Sequence, residues 1–216
     1  MRPTFPGVPL GSVGEHPPNS GPVPGTWEAS IRERLFEQRI VFLWGHLDDA
    51  TANDAAAQLM TLDATADAPI HLHVDCPGGD LTAALSLVDV IDLLGVELHA
   101  TCIGQASGPA VAVFAAAHHR RATPHARFRL QSPVVDFHGR AREVESFVAQ
   151  HSAQLRNLTE RLAAAVRQPS ERVAADMDAG RFLDARQAVK YGLVDEVCAR
   201  SATVYPLHPR PLGFRP

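Results

Sequence analysis

Thr101-Cys102-Ile103-Gly104-Gln105-Ala106-Ser107-Gly108-Pro109-Ala110, running on into the apolar segment Val111 to Ala117, decides how the chain is read. A β-prone run, Val96 to Cys102, delivers the backbone into a tight turn of small residues, and a small-residue helix leads away from it. A strand, a turn and a helix in that order are how a nucleophile is presented. Ser107 sits in the turn. Such an elbow reacts only if a base, a group that orients the base and a pair of oxyanion donors come from elsewhere in the chain.

Outward from the elbow, β-prone and helical runs alternate. Ile40 to Trp44 predicts a buried strand ended by Gly45, with Asp48 as N-cap of an alanine-rich helix reaching Leu62. Ile70-His71-Leu72-His73-Val74 alternates with period two, which puts both histidines on one strand face. After Cys76-Pro77-Gly78-Gly79, Asp80 opens a helix with Leu81, Ala84, Leu85, Val88, Ile91 and Leu94 on one side, stopped at Gly95. Arg127 to Gln131 alternates again before Ser132-Pro133, and 140–166 predicts one long amphipathic helix that needs a partner besides its own core. Ser170 and Asp184 are expected to cap two shorter helices, Gly192 to end the second, and Leu193 to Cys198 to form a last strand. This alternation implies an α/β fold with right-handed crossovers.

The ends differ in composition. Residues 1–26 hold seven Pro and five Gly, too little apolar surface to offset ordering, so 1–29 is expected to be a flexible tail, 30–200 the domain and 201–216 a Pro-rich extension. A net charge of −4 and no basic run argue against nucleic-acid binding. Cys76, Cys102 and Cys198 stand singly, the pattern of reduced core thiols. With no signal-like or membrane-spanning segment, a cytoplasmic location is expected. His71 and His73 lack a third ligand at suitable spacing, so no metal is assigned, and no cofactor.

Taken together, Arg39 to Leu43 with Gly45, Asp49, Ala52 and Asn53; Cys76-Pro77-Gly78-Gly79; Cys102 to Ala106; Arg181-Phe182-Leu183; and Ala188 with Tyr191 to Asp195 resemble ClpP, the proteolytic subunit family of the ATP-dependent Clp protease. The resemblance spans about Ser30 to Ala199. It implies the ClpP/crotonase-like ββα spiral with a long handle helix, here 140–166, and seven-membered rings of like or paralogous subunits stacked into a barrel. It also implies polypeptide substrates fed by an AAA+ unfoldase such as ClpX, ClpC or ClpA.

The family is one of serine endopeptidases with a Ser-His-Asp triad, and position by position this chain departs from it. Gln131 stands where the family has its His, and an amide has no lone pair that takes a proton near neutral pH. Gly180 stands where the family has its Asp. For the nucleophile two registers stay open: without a gap Gly108 occupies its place, and with a one-residue deletion Ser107 does. The next residue must donate its backbone N–H to the oxyanion, which Pro109 cannot do in the first register and Gly108 can in the second. Gly78 and Gly79 would supply the other half of the hole and the substrate edge; apart from catalysis, they predict a turn with positive φ. The expected function is a ClpP-like subunit that is inactive or impaired in proteolysis. The alternatives are an active serine endopeptidase using Ser107 with another base, for which His118, His119, His125 and His138 are poorly placed, and a crotonase-like enzyme acting on an acyl thioester.

Overall fold

The computed structural model describes residues 26–198, with side chains from residue 31 onward. The two terminal extensions read from composition fall outside that range, except that α1 (Thr26–Glu37) takes up the last residues assigned to the N-terminal tail. The larger of two compact units begins at Leu35 and carries the sheet. No helix among the described residues is long and apolar enough to cross a membrane.

Strands β1 (Ile40–Trp44), β2 (Ile70–Cys76), β3 (Leu98–Ser107), β4 (His119–Ala122) and β7 (Glu196–Val197) lie side by side in that order, all parallel. β5 (Arg127–Arg129) pairs with the far end of β3, and β6 (Phe182–Asp184) runs antiparallel to β5. β1, β2 and the near end of β3 alternate between buried and partly exposed residues: Val41, Leu43, Ile70, Leu72, Val74, Leu98, Ala100 and Cys102 point into the core. That core is closed by α2 (Asp49–Asp63), α3 (Leu81–Leu93), α4 (Ala110–Ala115) and the C-terminal half of α5 (Ala141–Val166). The opposite face carries Phe42, Trp44, His71, His73, His99, Thr101 and His119, and within the larger unit no described helix is packed on it. Parallel sheets are seldom left open on one face.

Several expected elements stand as read. Asp48 caps α2 through a bond from the Thr51 N–H, Asp184 and Gln187 form a capping box at the start of α7 (Ala185–Tyr191), and Gly192 ends α7 in the left-handed region. Others move. α6 (Ser170–Asp178) is capped by Pro169, with Ser170 already its first helical residue, and the last strand shrinks to Glu196–Val197 because Leu193 and Val194 are spent in the turn after α7. β3 runs five residues past Cys102, since β5 offers it a second partner. β4 and β6 are strands that the sequence pattern does not predict.

Arg39 holds the α2–β2 connection. It sits at φ 60°, and its guanidinium donates to the carbonyls of Leu62 (2.9 Å), Ala66 (3.1 Å), Ala68 (2.6 Å) and Pro69 (3.2 Å). No other side chain offers so many donors in a fixed plane. Arg39→Ala is therefore expected to lower stability in chemical denaturation by about 1.5–3 kcal/mol, the range for hydrogen bonds from a charged donor. Arg39→Lys should recover less than half of that loss, and full recovery by Lys would show that charge alone matters.

Candidate active site

The site region is made where β3 changes partners. Up to Cys102 its outer edge pairs with β4, and from Gln105 to Ser107 it pairs with β5. On the other edge the register with β2 jumps from Val74–Cys102 to Cys76–Ala106, so β3 holds two extra residues there. The carboxylate of Asp75 enters this gap and accepts from the Gln105 N–H at 3.1 Å. Thr123 closes the other side, its N–H bonded to the Cys102 carbonyl and its hydroxyl to that of Ile103. A strand carried past its first neighbour in this way delivers Ser107 to the C-terminal end of the parallel strands.

Ser107 is the last residue of β3, opposite Arg129 of β5, and only 7% exposed. The sharp turn falls one residue later. Gly108 adopts φ +56°, Pro109 caps α4, and the helix opens at Ala110. The Gly108 N–H does not point into open space; it donates to the Arg129 carbonyl at 2.9 Å, continuing the β3–β5 ladder. Among the described residues no group hydrogen-bonds the Ser107 hydroxyl.

Gly78 and Gly79 leave the same end of the sheet, since Cys76 pairs with Ala106. Neither has positive φ, which corrects the turn expected from sequence. The reason for glycine at 79 is close approach: a Cβ there would run into Cβ of Leu47 and lie 2.6 Å from its carbonyl oxygen. Leu47 bridges this loop, donating to the Gly78 carbonyl at 3.0 Å and accepting from Asp80 at 2.8 Å, and the N–H groups of Gly78 and Gly79 take no part. Cys76 gives no substitute nucleophile. Burial pushes its thiol up, its Sγ is bonded to the Gly78 carbonyl, and burial likewise pushes Cys102 up to about 12.

Gln131 and Gly180, the positions read from the resemblance as substituted, both lie around β5. A Cβ on Gly108 would lie 3.6 Å from the Gln131 carbonyl oxygen, so Gln131 is the neighbour of the turn. The segment after β5 is fixed by Leu130 donating to Arg181, Ser132 to Met177, and the Ser132 hydroxyl to Asp178 at 3.0 Å. A Cβ on Gly180 would lie 3.5 Å from Nη2 of Arg129. Arg129 stacks over the Phe182 ring at 4.8 Å, and its Nε is buried without a partner. Sequence reasoning missed Arg129, which reads there as one residue of an alternating strand.

The histidines weighed as substitute bases lie elsewhere. His118 accepts from the Leu98 N–H at 3.1 Å, and His119 pairs with His99. Both lie beside the start of β3, eight or nine residues from Ser107, about 26–30 Å at the rise of a strand. His125 and His138 are exposed in connections.

Compared with known families, residues 25–201 match the family model described as Clp protease.

Two substitutions test how the turn is used. Gly79→Ala should destabilise the fold by about 1–3 kcal/mol, because Leu47 backbone would have to yield. Gly78→Ala meets nothing within 4 Å and should cost under about 1 kcal/mol. Equal losses in thermal denaturation would contradict the close-approach reading of Gly79.

Proposed function

Because the chain belongs to the Clp protease family, we propose that it is a ring subunit of a Clp-type assembly whose own peptide-bond hydrolysis is absent or severely impaired. Its role is then structural or regulatory, alone or beside active paralogues, with an AAA+ unfoldase as the partner that delivers polypeptide. One observation carries the reading: the Gly108 N–H is already bonded to the Arg129 carbonyl. With Ser107 as nucleophile, that N–H is the donor the oxyanion needs and it is engaged. With Gly108 in the nucleophile place there is no hydroxyl, and Pro109 has no N–H. Either register lacks half the hole, and Gln131 beside the turn supplies no base.

Arg129 adds a further obstacle. An aspartate introduced at position 180 would form beside the Arg129 guanidinium, whose buried Nε wants an acceptor, and would pair with it rather than orient an imidazole. A crotonase-like thioester reaction needs the same two N–H groups and meets the same loss at Gly108.

The first test is hydrolysis of a short fluorogenic peptide, with fluorophosphonate labelling alongside. The chain is expected to stay at background in both, and Ser107→Ala to change nothing. Turnover abolished by Ser107→Ala would establish the active-endopeptidase alternative, and stabilisation by an acyl-CoA would favour the thioester one. Gln131→His with Gly180→Asp should remain at background, since members of a triad act as a unit and neither change frees the Gly108 N–H or gives Pro109 one.

Assembly is expected through α5. Its C-terminal half is buried by Leu158, Leu162, Ala163 and Val166, whereas Val148 is 55% exposed and Phe147 stacks on Phe137 and His151. Leu155 packs against the core, so Leu155→Glu confounds folding with assembly. Phe147→Glu and Val148→Glu should shift sedimentation to smaller species while leaving the protomer folded. Unchanged sedimentation of both would make α5 an ordinary packing helix.

A further inference from the structure

The open face of the sheet gathers imidazoles that lie far apart in sequence. Parallel register sets His71 of β2 beside His99 of β3, and His99 beside His119 of β4. The rings of His71 and His99 are 5.4 Å apart, and those of His99 and His119 4.6 Å. Glu97, on the same side just before β3, brings Oε2 to 3.2 Å from Nε2 of His99 and 3.7 Å from Nε2 of His119. One ligand atom from each of the three residues lies within 4.8 Å of the others.

We propose that Glu97, His99 and His119 form a binding site for a divalent transition-metal ion of the zinc class. Around a tetrahedral zinc ion with bonds near 2.0–2.2 Å, neighbouring ligand atoms sit about 3.3 Å apart. The two Glu97 separations already bracket that value, so closing the site takes a small rotation of His119, whose side chain is 58% exposed and free to move. Two imidazoles with one carboxylate suit zinc, cobalt or nickel rather than calcium or magnesium, and they leave a coordination position to water. The ligands sit on or beside adjacent parallel strands, which hold their spacing more firmly than loops would. Arg121, two residues past His119 on β4, is a nearby cation that opposes binding, its Nε 4.0 Å from a Glu196 carboxylate oxygen, and Arg120 is occupied by the Asp195 carboxylate. His71 is the nearest further imidazole. A bound ion would tie β3 to β4 at the end of the sheet away from Ser107, so the site stands apart from the peptidase question.

The test uses the full chain stripped by a chelator and titrated with Zn2+ by calorimetry and with Co2+ by visible absorption. One equivalent should bind, the Co2+ complex should show ligand-field bands of a low-coordinate nitrogen and oxygen site, and Zn2+ should raise the thermal midpoint. Glu97→Gln and His119→Ala should each weaken binding at least tenfold and remove the thermal shift, with His125→Ala as the unaffected control. Glu97 and His119 are both exposed, and melting of the metal-free variants verifies that they fold. Absence of saturable binding overturns the proposal. So does binding that survives intact in a chain carrying both His99→Ala and His119→Ala.

Discussion

A strand edge has one row of N–H and C=O groups, and β3 must share its outer row between two neighbours. Between Cys102 and Gln105 it leaves β4 and takes up β5, and during that change its backbone would be left without partners. Thr123 supplies them on that edge, to the Cys102 and Ile103 carbonyls, and on the opposite edge, where the register with β2 jumps, Asp75 takes the Gln105 N–H. The length of β3, the position of the turn at Gly108 and the placing of β5 and β6 all follow from that exchange.

The same pairing explains the chemistry of the turn. A ladder that continues to Ser107 draws the Gly108 N–H onto Arg129, and a donor committed to a strand bond is not free for a developing oxyanion. Oxyanion stabilisation requires donors aimed at charge that appears only in the transition state. Here the donor is spent in the resting fold.

What the sequence disclosed divides along physical lines. β1, β2, α2, α3, α5 and α7 are long enough, or capped clearly enough, for periodicity and end signals to mark them. β4 is not: His119-Arg120-Arg121-Ala122 offers one buried apolar residue in four, and only its neighbours make it a strand. β6 is three residues held by β5. In the candidate site, Gln131 and Gly180 are visible as residue types in sequence, but the commitment of the Gly108 N–H and the cation beside Gly180 depend on pairing between segments tens of residues apart. The histidine cluster is illegible for the same reason, since His71, His99 and His119 meet only through strand register.

On the proposed reading of an inactive subunit, Arg129 bears on whether the region is a damaged active site or one remade for another purpose. Loss of a carboxylate alone would leave a polar space against β6. Instead the guanidinium of Arg129 lies against Gly180 and stacks on Phe182, and the neighbouring segment is pinned by Ser132 to Asp178 and by Leu130 to Arg181. A cation there would lower the basicity of any imidazole placed at position 131, because a nearby positive charge disfavours the protonated form. On the proposed reading, the groups around Gln131 and Gly180 thus oppose triad chemistry as well as lacking it, while they satisfy the packing and most of the hydrogen bonds that the fold needs simply to keep its shape.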